Sequence, residues 1–150
     1  MHPLQILIDL ERFAGKNSLY NLEHIPDDKL NFKPSPTAKS ALEIVHHSAS
    51  AIIHLGTMLK TGEPGPDVPM PTTREEAKEL WGKAIADYAT FLEGLTPPDL
   101  QGDIQLGFGP FPRARAVGMP VVDLLHHHGQ LAYLQTIWGD ETSHFAEMGN

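Results

Sequence analysis

Residues 120–139, PVVDLLHHHGQLAYLQTIWG, read as one helix. Pro120 suits a first turn, where the missing N–H costs nothing, and Gly139 suits the stop. Val121, Val122, Leu124, Leu125, Leu131, Ala132, Leu134 and Ile137 form the apolar set. Asp123 and His127 lie four residues apart and stack on one face. Leu131 and Leu134 continue that face, which points it inward. A helix this apolar needs partners to cover it, so the rest of the chain must supply them.

Three other segments do so. Ser40 lies three residues before Glu43, the spacing of a capping box, and Leu42, Val45, Ala49, Ile52 and Ile53 follow as a stripe to about Leu59. Thr72 or Thr73 opens a third helix, with Glu75 or Glu76 three residues on. Ala77, Leu80, Trp81, Ala84, Ile85, Tyr88 and Leu92 keep its amphipathic spacing up to Gly94. A first helix runs from about Leu4 to Leu22, with Gly15 and Asn17 weakening its middle enough to allow a break there.

The connections are rich in Pro and Gly. They are the segment 24–39, the loop TGEPGPDVPMP (61–71), and a long stretch from Thr96 to Gly118. Within the last, Asp103–Leu106 alternates as a short extended piece, while Gly107-Phe108-Gly109-Pro110 reads only as a turn. The tail from Asp140 to Asn150 is expected to add a short turn or to fray. The expectation is one all-α domain spanning 1–150, a four-helix bundle with long loops.

The chain of 150 residues has 11 Lys+Arg against 19 Asp+Glu, a formal charge of −8. A nucleic acid or an anionic membrane is therefore an unexpected partner, since both need clustered positive charge. Cysteine is absent, which excludes disulfides, Cys-ligated zinc and a Cys nucleophile. Asp9 and Glu11 interrupt the N-terminal apolar run, so it does not read as a secretory signal, and a cytoplasmic location is expected. No apolar run approaches the ~18–20 residues of a membrane span.

Nine histidines are the informative excess. His46, His47 and His54 fall on the second helix; His126, His127 and His128 fall on the last. His47 shares a face with Ile44, Ala51 and His54. If the two helices pack, His47, Asp123 and His127 form two imidazoles and a carboxylate around one point. Such a set suits divalent zinc, nickel, iron or manganese and leaves positions open for water or substrate. His46 and His126 are expected at the helix flanks and His128 exposed or behind the site. His2, His24 and His144 are expected at the solvated surface. His54 lies two turns from His47, about 10 Å along the axis. Arg113 and Arg115 read first as a solvated loop pair, and second as contacts for an anionic ligand at the mouth of the site.

Three stretches carry a resemblance: HIPDDKLNFKPSPTAKSA (24–41), ALEIVHHSAS (41–50) and HHHGQLAYLQTIWG (126–139). With the order and spacing of the helices, they make the chain similar to the DinB/YfiT-like superfamily. The resemblance implies a homodimer of up-down-down-up four-helix bundles. It also implies a divalent metal held by one histidine of the second helix and an i, i+4 histidine pair on the last. By position these ligands fall on His47 and on His127, but the first of the pair falls on Asp123. Either Asp123 ligates in place of a histidine, or the site is lost and Asp123 pairs with a histidine. Gln130 matches the family's glutamine, and His128 replaces its usual arginine.

The resemblance further implies a metal-dependent transferase or hydrolase acting on a small electrophilic substrate, with a low-molecular-weight thiol as cofactor. Since the chain has no thiol of its own, that thiol must come from solution. The other reading is a non-catalytic, stress-related bundle that binds a small ligand or a metal.

Overall fold

The computed structural model describes residues 2–146. Helix α1 covers Gln5–Glu23, α2 Ala41–Thr61 and α3 Arg74–Glu93; the strands β1 (Asp103–Leu106) and β2 (Gly109–Pro112), a single turn α4 (Arg113–Ala116) and α5 (Met119–Ile137) follow.

Local chemistry sets the helix ends. Ser40 Oγ accepts from the Glu43 N–H at 3.3 Å, and the Glu43 carboxylate accepts from the Ser40 N–H at 2.8 Å, so the capping box forms as expected. Thr73, not Thr72, caps α3 by accepting from the Glu76 N–H at 3.1 Å. At α1 no side chain caps the first turn; His2 Nδ1 instead accepts from the Leu4 N–H just before the helix at 3.1 Å, and its Nε2 meets the Leu95 carbonyl at 3.0 Å. His2 is thus a bridge between α1 and the end of α3, where a solvated residue was expected.

Each of α1 and α2 packs against both α3 and α5. Gly15 meets Ile85 and Lys78 pairs with Glu23, so α1 and α3 run antiparallel. Ser48 meets Trp81 and Gly56 meets Tyr88, so α2 and α3 run parallel. Asn21 meets Gln135 and Leu7 meets Gly118, so α1 and α5 run parallel. The order is up-down-down-up, as the resemblance implies. A parallel α2–α3 pair forces the chain to return the full bundle length between them. A helix of 21 residues is about 31 Å long, and the twelve residues 62–73 reach about 40 Å when extended. Pro64, Pro66, Pro69 and Pro71 favour that extended form. The return strand is pinned where His46 Nε2 contacts the Val68 carbonyl at 2.8 Å. At Gly65 it lies so close to α2 that a Cβ would sit 2.9 Å from the His54 Cα.

The core is centred on Trp81, Tyr88, Leu42, Leu92, Leu124 and Leu131, all at most 2% exposed. Burying each large apolar side chain is worth roughly 1.5–3 kcal/mol. Trp81 Nε1–H donates to the buried Ser48 Oγ at 3.2 Å, which accounts for a serine beside the histidines.

Three expectations are corrected. Helix α1 does not break near Gly15 and Asn17. Gly15 is there because Ile85 fills the space above it: a Cβ would lie 2.6 Å from Ile85 Cγ2. Asn17 bonds the Phe13 carbonyl at 3.0 Å and accepts the Ala146 N–H at 2.8 Å. The turn at Gly107-Phe108 joins β1 to a second strand, β2, in an antiparallel hairpin with Asp103 opposite Pro112 and Leu106 opposite Gly109. Pro110 and Pro112 hid that strand, but an edge strand tolerates missing donors. Finally, the tail through Ala146 folds back on α1. Phe145 packs on Phe13 with ring centroids 5.4 Å apart, His144 stacks on His24 at 4.3 Å, and His144 Nε2 contacts Asp140 Oδ2 at 2.6 Å. His24 and His144 therefore hold the tail. The remainder of the predicted tail, 147–150, lies outside the described residues.

Gly15→Ala measures how tightly α1 and α3 approach. Alanine gains up to about 1 kcal/mol of helix propensity over glycine, whereas overpacking costs about 1–3 kcal/mol. We expect a net loss on the order of 1 kcal/mol in urea denaturation, recovered when Ile85→Leu removes the clashing Cγ2. A more stable Gly15→Ala protein would contradict this packing.

Candidate metal centre

The antiparallel arrangement of α2 and α5 delivers the convergence. Asp123 and His127 stack one turn apart on α5, and His47 reaches them from α2, its ring centroid 5.0 Å from that of His127. Ligand atoms of His47, Asp123 and His127 all lie within 4.8 Å of one another. His127 Nε2 and Asp123 Oδ1 are 3.3 Å apart. Two atoms bound to one tetrahedral zinc at 2.0–2.2 Å are separated by about 3.4 Å, so this pair already has the edge length of such a site. His127 is 4% exposed, Asp123 is half-buried and His47 is exposed. The third ligand is thus the one free to adjust, and it lies on the solvent side although it shares a face with the buried Ile44.

Hydrogen bonding sets the state of His127. Its Nδ1 lies 2.7 Å from Gln130 Oε1, and Gln130 Nε2 lies 2.9 Å from His126 Nε2. The amide can serve both histidines only by accepting from His127 and donating to His126. His127 Nδ1 therefore carries the hydrogen, and in the neutral ring the Nε2 lone pair faces the Asp123 carboxylate. Two acceptors at 3.3 Å repel unless a proton or a metal cation lies between them. Asp123 Oδ2 is also buried without a hydrogen-bond partner. These features fit a divalent ion: a facing lone-pair set, an orphaned carboxylate oxygen and an outer hydrogen bond that fixes the tautomer.

The titration behaviour follows. Burial draws the His127 pKa down, but the hydrogen bonds to Asp123 and Gln130 and the Asp123 charge outweigh it and hold the group above its ordinary value. For His47, burial and the neighbouring His127 charge lower the pKa against the opposing pull of Asp123. Lys39, in the loop before α2, pushes both histidines down. Sequence reading missed Lys39, which carries no motif signal; only the packing of its loop brings it here.

The other histidines separate from the centre. His54 lines a groove beyond it, His46 anchors the return strand, His126 is exposed and half-buried His128 has its pKa lowered by burial. Arg113 is committed to the backbone carbonyls of Asp99 (2.7 Å) and Leu59, so it is structural, not a solvated loop residue. Among the described residues Arg115 has no such partner. The triad stands between two cavities. Asp123 forms part of the wall of a groove of about 750 Å³ between α2 and α5. His47 lines a smaller one of about 420 Å³ with His46, Glu43, Lys33 and Lys39.

Comparison with known proteins agrees with this architecture. A DinB-like protein of Bacillus subtilis is 19% identical, with 93% of this chain and 96% of that one covered at a TM-score of 0.75. A DinB-like protein of Bacillus cereus is 22% identical over 93% and 95% of the two chains, TM-score 0.73. A conserved protein of Enterococcus faecalis is 19% identical over 91% and 97%, TM-score 0.69. At these identities the likeness establishes the fold alone. No curated protein matches the sequence. The profile of the DinB superfamily matches residues 12–131, a span that holds all four bundle helices in whole or in large part and all three residues of the triad, and the chain belongs to that superfamily.

Proposed function

We propose that the protein is a metal-dependent enzyme that transfers a low-molecular-weight thiol to a small electrophile, with the metal held by His47, Asp123 and His127. The observation that carries this reading is the orphaned Asp123 oxygen beside a histidine lone pair, an arrangement that favours a shared cation. Zinc, nickel, iron and manganese all accept this donor set. Bound there, a divalent ion would supply Lewis acidity that keeps a thiol ionised near neutral pH.

The chain's own residues orient and select. Gln130 holds the His127 ring so that Nε2 faces the ligand site. One carboxylate and two neutral imidazoles leave a divalent ion with net positive charge, and Lys39 adds to it, which favours an anionic thiolate. Cavities on two sides give a thiol and an electrophile separate approaches, as a transfer between two molecules requires.

Elemental analysis of protein purified without nickel resin, before and after reconstitution, tests the metal. One equivalent is expected. At a hundredfold excess over Kd the ion stabilises by about 2.7 kcal/mol, which raises the melting midpoint by roughly 5–10 °C. The rate at which a small thiolate displaces chloride from monochlorobimane, over the rate without protein, tests the reaction. Sub-stoichiometric metal after reconstitution overturns the proposal. Full occupancy with no acceleration over the protein-free rate would leave a non-catalytic metal-binding bundle.

A further inference from the structure

We propose that the groove between α2 and α5 binds a small amphipathic carboxylate, its anionic group held by Arg115 and its apolar body laid toward Asp123. This deepens the proposed function by naming a substrate class for the same site, and it rests on that reading only for what happens at the metal end.

The groove has about 750 Å³, a size typical of small-molecule sites. Its walls are mostly apolar, with Leu7, Leu55, Met58, Met119 and Val122 prominent. From Ala51 to Met58 the α2 wall is about 10 Å long, the reach of a short alkyl chain or one aromatic ring with a substituent. Methionines on both walls let the surface adapt to either shape.

Charge selects the head group. Arg115 is exposed in the wall of this groove, on α4 ahead of α5, and makes no hydrogen bond or ion pair among the described residues. In a chain of net charge −8, a cation left unpaired at an apolar groove is the exception. It is also the only cation of the groove wall among the described residues. A single guanidinium matches a carboxylate in bidentate fashion, and its one charge balances a monoanion, whereas a dianion would leave excess negative charge beside Asp123. Asp123, in the same wall and farther along the chain in α5, repels a second anionic group. The ligand is therefore a monoanion with a fixed direction: carboxylate at Arg115, apolar or electrophilic end at the triad. Half-buried His54 offers one polar contact along the way.

The test uses the full chain stripped of metal by chelation, so that its outcome is separate from whether a metal binds. Calorimetric titration with octanoate, octanol and octylamine compares head groups on one apolar body. Octanoate is expected to bind at least tenfold more tightly than octanol, and any octylamine uptake, drawn to Asp123, is expected to be insensitive to Arg115→Ala. Arg115→Ala is expected to lose about ten- to hundredfold in octanoate affinity and Arg115→Lys less, with unchanged melting midpoints because the side chain has no structural partner. Equal binding of octanoate to wild type and Arg115→Ala overturns the proposal. So does binding that appears only once metal is restored, which would put the carboxylate on the triad. A groove covered by a second copy, seen as a dimer by sedimentation with no octanoate uptake, overturns it as well.

Discussion

Replacing His127 with alanine is expected to abolish stoichiometric metal binding, while His126→Ala leaves it in place. The two histidines are adjacent in sequence, yet one is 4% exposed against Asp123 and the other faces outward. Loss of an outer hydrogen-bond partner typically costs 10–100-fold in metal affinity, so loss of a ligand must cost more than about 100-fold. Gln130→Ala separates these roles. It removes the acceptor that holds the Nδ1 hydrogen and is expected to weaken binding about 10–100-fold without ending it. The pH dependence has a definite sign. A metal must displace the proton that Asp123 and Gln130 help His127 retain, so affinity falls as pH drops through the raised pKa of His127. His47, with its lowered pKa, is already unprotonated there and adds little to the slope. Competition titrations with a chromogenic chelator between pH 5.5 and 8 at roughly half-unit steps resolve both effects. Equal affinities for His126→Ala and His127→Ala would remove His127 from the ligand set.

The second large effect concerns Glu11, which no part of the proposed chemistry uses. Its side chain is fully buried on the inner face of α1, and neither carboxylate oxygen has a hydrogen-bond partner. Tyr88, whose own pKa is raised by burial and by the Glu11 charge, gives its hydroxyl hydrogen to the Val117 carbonyl at 2.7 Å instead. Burial pushes the Glu11 carboxyl from 4.5 up to about 8. Between these values the folded chain holds a proton that the unfolded chain has released. Stability therefore falls as pH rises across that window and levels off above it. At 1.36 kcal/mol per unit the full span amounts to about 5 kcal/mol, and about 3 kcal/mol is already lost at neutral pH. Glu11→Met keeps the volume and removes the charge. Its melting midpoint at pH 8 is expected to exceed wild type by roughly 10 °C, a difference that narrows toward pH 4.5 to the residual cost of a buried carboxylic acid without partners. Glu11→Gln should lose the same pH slope but recover less stability, because a buried amide without partners still costs about 1–3 kcal/mol. Parallel pH dependence in wild type and both variants would show that Glu11 is paired in solution.

The sequence by itself determined what is local. Helical periodicity placed the four long helices to within a few residues, and the Ser40–Glu43 spacing located the start of α2. The i, i+4 step put Asp123 and His127 on one face, since backbone geometry alone aligns side chains one turn apart. The resemblance supplied the order up-down-down-up and pointed to the same three residues. Local rules misjudged Gly15, whose reason lies on another helix, and β2, whose prolines argue against a strand unless it is an edge. They were silent on Lys39, and for the inner face of α1 the spacing left Leu10 and Glu11 as alternatives, of which the fold buries Glu11. Only the tertiary structure decided the height at which α2 and α5 meet, which sets His47 beside His127, and that one Asp123 oxygen is left without a partner. Helix faces follow from interactions within a few residues. Which faces meet, at what height and with which groups stranded between them depends on packing across the whole bundle, which no single segment encodes.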